Sequence, residues 1–388
     1  MEGLKWTTAG ESHGPALMGI LEGLPAGLGL DVAAIDAQLV RRQGGYGRGG
    51  RMKIEADAVR VVAGLRKGVT LGSPLGLLIE NKDATIDKLP DPPSPRPGHA
   101  DLAGSQRMAQ ADARAVLERA SARETAMRTA LGAAARQVLE AFGVRVFAHV
   151  TALGGDAAET EYGAEGLGAA KRFDEGWLER RAQSPFACLD VTVEGRWKQA
   201  VDQAKEAGDT LGGVFEVVAF GLPPGLGSYL DPRDRLTSRL AAAVMSIPAL
   251  KGVEVGLGFG AAGLTGAAYH DALTPEGRHG FGAFKRRTNR AGGLEGGMTT
   301  GAPLVVRAAM KPIATLRQGI ATVAFGSGEA VTSTYQRSDV TAVPAASVVG
   351  ESLVALELAS AFLAAFGAPT LELTRERFEA WAERARTL

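Results

Sequence analysis

The sequence predicts an α+β fold in which antiparallel sheets pack around core helices, and two observations support this. The segments with strand patterns are short, and few helices separate consecutive ones, which favours antiparallel pairing over a doubly wound parallel sheet. Segment 351–366 consists almost entirely of Ala, Leu, Val and Phe, with Glu357 as its only internal charge. A helix that is apolar on every side is expected in the protein core.

The elements are predicted in order along the chain. A helix begins after Asp31, whose side chain can cap it, and continues to about Arg42. Segment 106–142 is expected to form one long helix or two consecutive helices, because Gly132 alone interrupts its Ala- and Arg-rich pattern. Further helices are predicted at 235–245 and 351–366. β-branched or alternating residues predict strands at 59–65, 74–80, 144–151, 189–193, 213–220, 251–258, 303–310 and 322–325.

The composition indicates a globular protein of a reducing compartment. The 43 Lys and Arg residues are balanced by 43 Asp and Glu residues, whereas a nucleic-acid-binding protein usually has a basic excess. Cys188 is the only cysteine, which excludes an internal disulfide, and it is expected to be a small buried residue. The N-terminus lacks the apolar stretch of a secretory signal, and no uncharged run of eighteen apolar residues occurs. We therefore expect a cytoplasmic protein without membrane contact.

Segment 41–51, RRQGGYGRGGR, is a candidate anion receptor. It has four arginines in eleven residues, and no acidic residue lies between Asp36 and Glu55. Glycine allows the backbone to curl tightly, and the planar guanidinium suits carboxylate and phosphate oxygens. Four clustered guanidiniums repel one another unless negative groups lie among them, which predicts a small, multiply charged ligand. The alternative is a solvated or RNA-binding segment, but RNA binding predicts aromatic stacking residues and only Tyr46 is near.

Two of the five histidines are candidate general acids. His13 lies in the glycine-flanked turn GESHG, after an apparent short strand, and His99 lies in RPGHADL, three residues after Arg96. An imidazole beside a phosphate can donate a proton to it. Either residue can instead be a turn or capping residue. No histidine pair has the spacing of H-E-x-x-H, so no metal site is expected. The remaining histidines are expected to be structural or at the surface: His149, His270 and His279.

Three further blocks are rich in polar groups. RASARETAMR, at 119–128, is expected on a helix, where Glu118 and Glu124 can alternatively form a salt-bridged face with neighbouring arginines. The block 289–316 combines glycines with Lys311 and can cradle a phosphate through backbone N–H groups. In RSDVTAVPAASVVGES, at 337–352, a charged pair precedes an apolar run.

GESHGPALMGILEGLP, the Arg/Gly segment, RASARETAMR, NRAGGLEGGMTTG and RSDVTAVPAASVVGES together resemble the chorismate synthase family, in the same order and from residue 10 to residue 352. The resemblance implies one β-α-β sandwich domain over residues 1–388, a homotetramer and an association with NADP. It implies a carbon–oxygen lyase that needs reduced FMN and converts 5-enolpyruvylshikimate 3-phosphate to chorismate and phosphate by anti 1,4-elimination, the last step of the shikimate pathway. We expect a monofunctional enzyme that receives reduced FMN from an external source.

The resemblance also implies roles for individual residues. His13 would protonate the leaving phosphate, His99 would contact the flavin near N1 and C2=O, and Asp339 would accept the proton from flavin N5, with Arg337 holding Asp339 in place. The substrate would be bound by Ser12, Arg42, Arg48, Arg51, Arg96, Arg123 and Arg337. The flavin would be bound by Arg119, Ala120, Ser121, Ala249, Gly296, Lys311, Pro312, Ile313, Ala314, Thr315 and Arg337. A phosphate-handling enzyme that uses no flavin is the second alternative.

Overall fold

The fold is described by a computed structural model for residues 3–49, 57–110, 112–158, 173–278, 280–282, 284–334 and 339–387. Its α-helices are α1 (Val32–Gln43), α2 (Asp101–Met108), α3 (Arg114–Arg119), α4 (Thr125–Glu140), α5 (Gly176–Gln183), α6 (Glu194–Glu206), α7 (Leu236–Met245), α8 (Gly266–Tyr269), α9 (Val343–Phe366) and α10 (Leu371–Ala385).

The strands of the described residues are β1 (Lys5–Ala9), β2 (Ala16–Glu22), β3 (Arg60–Ala63), β4 (Leu65–Arg66), β5 (Val69–Thr70), β6 (Leu75–Glu80), β7 (Arg145–Leu153), β8 (Asp156–Ala157), β9 (Gly213–Phe220), β10 (Leu250–Val255), β11 (Leu273–Arg278), β12 (Phe284–Arg286), β13 (Leu294–Glu295), β14 (Met298–Thr299), β15 (Leu304–Met310), β16 (Ala321–Val323) and β17 (Ala330–Thr332). Two larger sheets have the orders β1-β2-β6-β3 and β10-β15-β9-β7-β8, and every pairing within them is antiparallel. The predicted antiparallel arrangement is therefore confirmed.

The helices α4 and α9 lie between the two larger sheets. α4 packs against β2 and β6 of the first sheet, α9 packs against β7 and β9 of the second, and the two helices pack on each other. α9 is apolar almost all round and nearly every residue is buried, which confirms the predicted core helix. Among the described residues, α9 is also long and apolar enough to cross a membrane, but 83% of its most apolar stretch is buried inside the fold. That the whole chain is one domain stays a prediction.

The contact between α4 and α9 depends on a glycine. A Cβ added to Gly132 would lie 2.3 Å from the carbonyl oxygen of Ser352. We expect Gly132→Ala to lower the free energy of unfolding by about 1 to 3 kcal/mol, because backbone has to move to admit the methyl group. Urea unfolding measures this. Gly195→Ala is the control, since Gly195 lies in α6 with open space around it, and there alanine is expected to be neutral or to stabilise by up to about 1 kcal/mol. Equal stability of the two variants would contradict the close packing.

The predicted helix over 106–142 is divided in the structure. α2 ends where Ala109 adopts the left-handed region at φ 52°, and α3 is a separate short helix. Ser121 is extended, and its hydroxyl accepts a hydrogen bond from the N–H of Arg123 to begin a short 3-10 turn, Ala122–Glu124, before α4. A serine hydroxyl that bonds its own backbone competes with helix formation in this way. The prediction of one helix or two was therefore wrong in this segment.

The predicted strands had different outcomes. β9 has both predicted ends, whereas the strand predicted at 189–193 is wrong, because Asp190 caps a 3-10 turn over Val191–Val193. β2, α5 and α6 had not been predicted from the sequence. Cys188 is buried as expected, and burial raises the pKa of its thiol to about 12.

α9 contains one buried carboxylate that joins several elements. The Glu351 side chain is bonded to Arg41 of α1 at 2.8 Å, to Arg136 of α4 at 2.8 Å and to Arg181 of α5 at 2.7 Å. It also accepts a hydrogen bond of 2.8 Å from the N–H of Ala148 in β7. Burial alone raises the pKa of this carboxyl, but the arginines outweigh burial and hold the pKa well below its usual range. Glu351 is therefore an ionised hub between α9 and four neighbouring elements.

Candidate active site

A cleft of about 1120 Å³ gathers most of the predicted site residues, although they are far apart in the sequence. Its volume slightly exceeds the usual range of roughly 300 to 1,000 Å³ for small-molecule pockets. The predicted residues that line it are Ser12, His13, Arg42, Arg48, Arg96, His99, Arg119, Ala120, Ser121, Arg123, Ala249, Lys311, Ile313, Ala314, Thr315 and Asp339.

Four of the predicted residues are not placed in this cleft. Arg51 and Arg337 lie outside the described residues. Gly296 and Pro312 are absent from the described cleft lining, and Gly296 forms the turn between β13 and β14, where its φ is +59°. The placement of Gly296 and Pro312 against a ligand in this cleft is therefore not supported by the fold of the single chain. The two loop histidines were given no role: His270 is exposed, and His279 lies outside the described residues.

The described arginines of the Arg/Gly segment are each paired with an internal carboxylate. Arg41, in the last turn of α1, is directed to Glu351 and not to the cleft. Arg42 lies 3.6 Å from Asp57, and Arg48 lies 2.6 Å from Asp339. The expectation that only an external anion could hold these charges together is thus wrong for this part of the segment. The protein supplies the counter-charges itself, from residues distant in sequence.

A buried pair of arginines forms one wall of the cleft. Asp57 bonds Arg123 at 2.6 Å, and Arg123 also donates to Asn81 at 2.9 Å. Arg42 donates to the hydroxyl of Thr125 and to a main-chain carbonyl, whereas its Nη1 is ion-paired with Asp57 at 3.6 Å, which is too long for a hydrogen bond. Burial lowers the pKa of Arg42 to about 10. Because the ion pair of Nη1 is longer than a hydrogen bond, an anionic ligand that accepts from this nitrogen would be favourable at this wall.

His13 is held in the turn between β1 and β2 by a buried glutamate. Its Nδ1 lies 2.9 Å and 3.0 Å from the two carboxylate oxygens of Glu118, and its main-chain N–H donates to the same group at 2.8 Å. Burial alone raises the pKa of Glu118, but hydrogen bonds from His13 and Arg114 outweigh it and hold the pKa below its usual value. With Nδ1 engaged, Nε2 is the nitrogen available for chemistry.

His99 has a comparable arrangement elsewhere in the cleft. Its Nδ1 lies 2.5 Å from Asp101, which also accepts hydrogen bonds of 2.8 Å and 3.0 Å from Arg96. Arg96 donates in turn to the hydroxyl of Thr315 at 3.3 Å. Burial alone raises the pKa of Asp101, but the hydrogen bonds from His99 and Arg96 hold it well below its usual range. The ring of His99 is therefore oriented by an ionised carboxylate.

Asp339 is bound by the Arg/Gly segment. One carboxylate oxygen accepts the N–H of Gly49 at 2.6 Å, and the other contacts Arg48 at 2.6 Å. The resemblance assigned a holding role to Arg337, which lies outside the described residues, so that role stays a prediction; among the described residues Arg48 contacts Asp339. These contacts join the segment that precedes α9 to the loop that follows α1.

Sequence reasoning missed the residues that hold the predicted ones in place. They are buried acids and an amide whose partners lie in other elements: Asp57, Asn81, Asp101 and Glu118. Two of them had a local signal, because Asp101 follows His99 by two residues and Glu118 directly precedes RASARETAMR. Glu118 was interpreted as a possible partner of a neighbouring arginine, and its bond to Arg114 is present. Its bond to His13 was not foreseen.

Comparisons with known proteins identify the family of the chain. The family model described as chorismate synthase matches residues 4–363. A chorismate synthase of Syntrophotalea carbinolica is 48% identical over 398 residues, covering 99% of both chains, and one of Rubrobacter xylanophilus is 49% identical, covering 98% of this chain and 96% of the relative. A crystal structure of chorismate synthase superposes with a TM-score of 0.82 at 37% identity and covers 100% of both chains. A match of this extent in sequence and in fold means that the chain belongs to the chorismate synthase family.

Proposed function

We propose that the protein is a carbon–oxygen lyase that converts 5-enolpyruvylshikimate 3-phosphate to chorismate and phosphate by anti 1,4-elimination with reduced FMN, the last step of the shikimate pathway. The observation that carries the proposal is the cleft itself, which gathers several arginines, two carboxylate-oriented histidines and Asp339. Family membership favours an enzyme acting on a small molecule over the RNA-binding alternative. The proposal includes action in the cytoplasm and assembly into a homotetramer. Sedimentation equilibrium tests the oligomeric state.

The charges of the cleft suit this substrate, which has two carboxylates and a phosphate. Arg42, Arg48 and Arg123 line one region of the cleft together with Ser12, and Arg96 lines it near His99. Each charge-assisted hydrogen bond would contribute about 1.5 to 3 kcal/mol. The Nη1 of Arg42, which has an ion pair but no hydrogen bond, would gain a hydrogen-bond acceptor when the substrate binds. The guanidinium of Arg48 would either move from Asp339 to the ligand or bind both at once.

His13 would act on the leaving group. Because Glu118 occupies Nδ1, the proton would pass from Nε2 of His13 to a phosphate oxygen as the carbon–oxygen bond breaks. Proton donation of this kind contributes typically about 10² to 10⁴ in rate. The Asp339 carboxylate would accept the proton from flavin N5, and the N–H of Gly49 and the guanidinium of Arg48 would orient it for this task.

The remaining cleft residues fit a flavin mononucleotide. Ile247, Pro248 and Ala249 form an apolar wall, which suits a flat heterocycle, and Arg119 and Lys311 supply cations for a phosphate. Burial, followed by the neighbouring charge of Lys251, lowers the pKa of Lys311, so an anion close to Lys311 would be favourable. Ser121 and the segment 313–315 would complete this site. The chemistry that reduced FMN would supply is transient electron density and uptake of the hydrogen that leaves C6.

An anaerobic assay tests the proposal. The purified protein is mixed with 5-enolpyruvylshikimate 3-phosphate and chemically reduced FMN, and phosphate release and chorismate absorbance are followed. We expect turnover with reduced FMN and none with oxidised FMN or without flavin. Turnover that is indifferent to flavin would instead support a phosphate-handling enzyme that uses none. Absence of turnover by folded, flavin-binding protein would contradict the proposed substrate.

A further inference from the structure

Glu118 fastens the turn that contains His13 at three points. Its main-chain carbonyl accepts the N–H of Ser12 at 3.2 Å, its carboxylate accepts the N–H of His13 at 2.8 Å, and the same carboxylate contacts Nδ1 of the imidazole. The Glu118 side chain is fully buried, whereas the His13 side chain keeps 19% of its surface exposed. The glutamate therefore lies behind the ring, on the side away from solvent.

The surroundings of His13 distinguish its two nitrogens. The described charged groups that face it are Glu118 and Arg114 of α3, and Asp83 of the loop after β6. Nδ1 contacts both oxygens of Glu118, whereas Nε2 lies 4.0 Å from Asp83, beyond hydrogen-bond distance. In the neutral ring an ionised acceptor at Nδ1 requires the hydrogen on Nδ1. Protonation of the ring then adds its hydrogen at Nε2.

We propose that Glu118 is a positioning residue for the elimination, which fixes the orientation of the His13 ring and its tautomer so that only Nε2 delivers the proton to the leaving phosphate. The proposal rests on the proposed role of His13. Arg114 is part of the arrangement, because it donates to Glu118 at 3.2 Å and keeps the carboxylate in place. An orienting carboxylate behind a histidine acts in the same manner in serine proteases, where its replacement by the amide lowers kcat by about 10⁴.

Glu118→Gln is the informative variant. The amide oxygen is expected to keep the position of Oε2, which accepts the N–H of His13 and lies 2.9 Å from Nδ1. The amide NH₂ then takes the position of Oε1, which lies 3.0 Å from Nδ1 and faces Arg114. The neutral amide therefore presents one acceptor and one donor to Nδ1, whereas the ionised carboxylate presents two acceptors, so the preference for the hydrogen on Nδ1 is expected to weaken. With ¹⁵N-histidine labelling, and with the His13 signals assigned through His13→Ala, we expect the Nδ1–H tautomer in the wild-type protein and an increased population of the Nε2–H tautomer in Glu118→Gln. This readout requires neither flavin nor substrate.

Kinetics test the link to the reaction. Glu118→Gln is expected to lower kcat by about 10²-fold with KM within about threefold, because the lost interaction acts in the transition state. Glu118→Asp, which keeps the charge, is expected to retain the Nδ1–H tautomer and to lose less activity. In a His13→Ala background the Glu118→Gln change is expected to cost less than about threefold, since the group that it positions is absent. The matched control is Glu140→Gln, which removes another carboxylate paired with an arginine four residues away, outside the cleft.

Three outcomes would overturn the proposal: an unchanged tautomer in Glu118→Gln, a kcat within threefold of wild type, or an equal loss with and without His13. Circular dichroism and thermal unfolding establish whether Glu118→Gln folds, and Glu118→Asp provides the tautomer and kinetic comparison if it does not. A wild-type protein that releases no phosphate but shows the predicted tautomers would overturn the proposed function and not the placement of the proton on His13.

Discussion

Replacing Glu351 by alanine is expected to lower the free energy of unfolding by about 3 to 5 kcal/mol, the usual cost of removing one partner from a buried ion pair. The change leaves Arg41, Arg136 and Arg181 without their shared carboxylate and leaves the N–H of Ala148 without its acceptor. Arg181 is the most buried of the three, with 7% of its side chain exposed, so most of the loss is expected there. Chemical denaturation of wild type and variant at neutral pH measures the difference.

Glu357→Ala is the matched control for this prediction. Glu357 lies on the same helix and pairs with Arg239 at 2.9 Å, but its side chain keeps 17% of its surface exposed and has one arginine partner among the described residues. We expect a loss of about 1 kcal/mol or less, close to the value of partly solvated pairs. Equal losses for the two variants would mean that the arginine hub adds nothing beyond an ordinary ion pair.

The loss of stability in Glu351→Ala is expected to be smaller at low pH than at neutral pH. The pKa of Glu351 is held below that of a glutamate in the unfolded chain, because the arginines outweigh burial. Its contribution is therefore fully present above the unfolded value of about 4.3 and is lost as the pH falls toward the folded value. The stability difference between wild type and variant should be largest near about pH 7 and should narrow below about pH 4. A constant difference over this range would contradict the assigned ionisation.

Replacing His13 by alanine is expected to lower the rate of phosphate release by about 10² to 10⁴ while flavin binding changes little. The reason is that Nε2 of His13 would be the proton donor to the leaving phosphate, and the variant leaves Glu118 facing an empty space. Stopped-flow phosphate detection under anaerobic conditions measures the rate, and flavin titration measures binding.

His270→Ala is the control for the histidine change, since His270 is exposed and lies outside the described lining of the cleft. It is expected to leave turnover unchanged. A loss below about tenfold in His13→Ala, with normal folding, would remove His13 from the proton-donating role and would direct attention to His99 as the alternative acid.

Local patterns were sufficient for elements whose neighbours do not change their conformation. Helix α1 begins after Asp31, whose side chain accepts from the N–H of Ala34 as predicted. β15 pairs along its whole length with β9, and both strands were predicted from β-branched runs. The burial of α9 followed from its composition. In each case local preference and tertiary packing favour the same conformation.

The break before α4 shows where local reasoning fails. The Ala- and Arg-rich sequence around Ser121 has a high helix propensity, but Ser121 adopts an extended backbone and its hydroxyl donates to Ser12 at 3.2 Å. That contact joins positions 109 residues apart in the chain. It is this break that places Arg119 and Ser121 in the cleft lining beside the turn of His13. Helix propensity does not report a break that combines a serine cap, the bond of Ser121 to the N–H of Arg123, with a contact to a distant segment.

The sequence by itself determined the antiparallel α+β class, the core helix, the family and a set of candidate site residues, most of which line the cleft. Only the tertiary structure decided which acid faces which cation: Asp57 lies between Arg42 and Arg123, Asp339 meets Arg48, and Arg41 turns away to Glu351. The physical reason is that a motif specifies residue types along the chain. Ion pairing and burial depend on distances between segments that only the folded chain brings together.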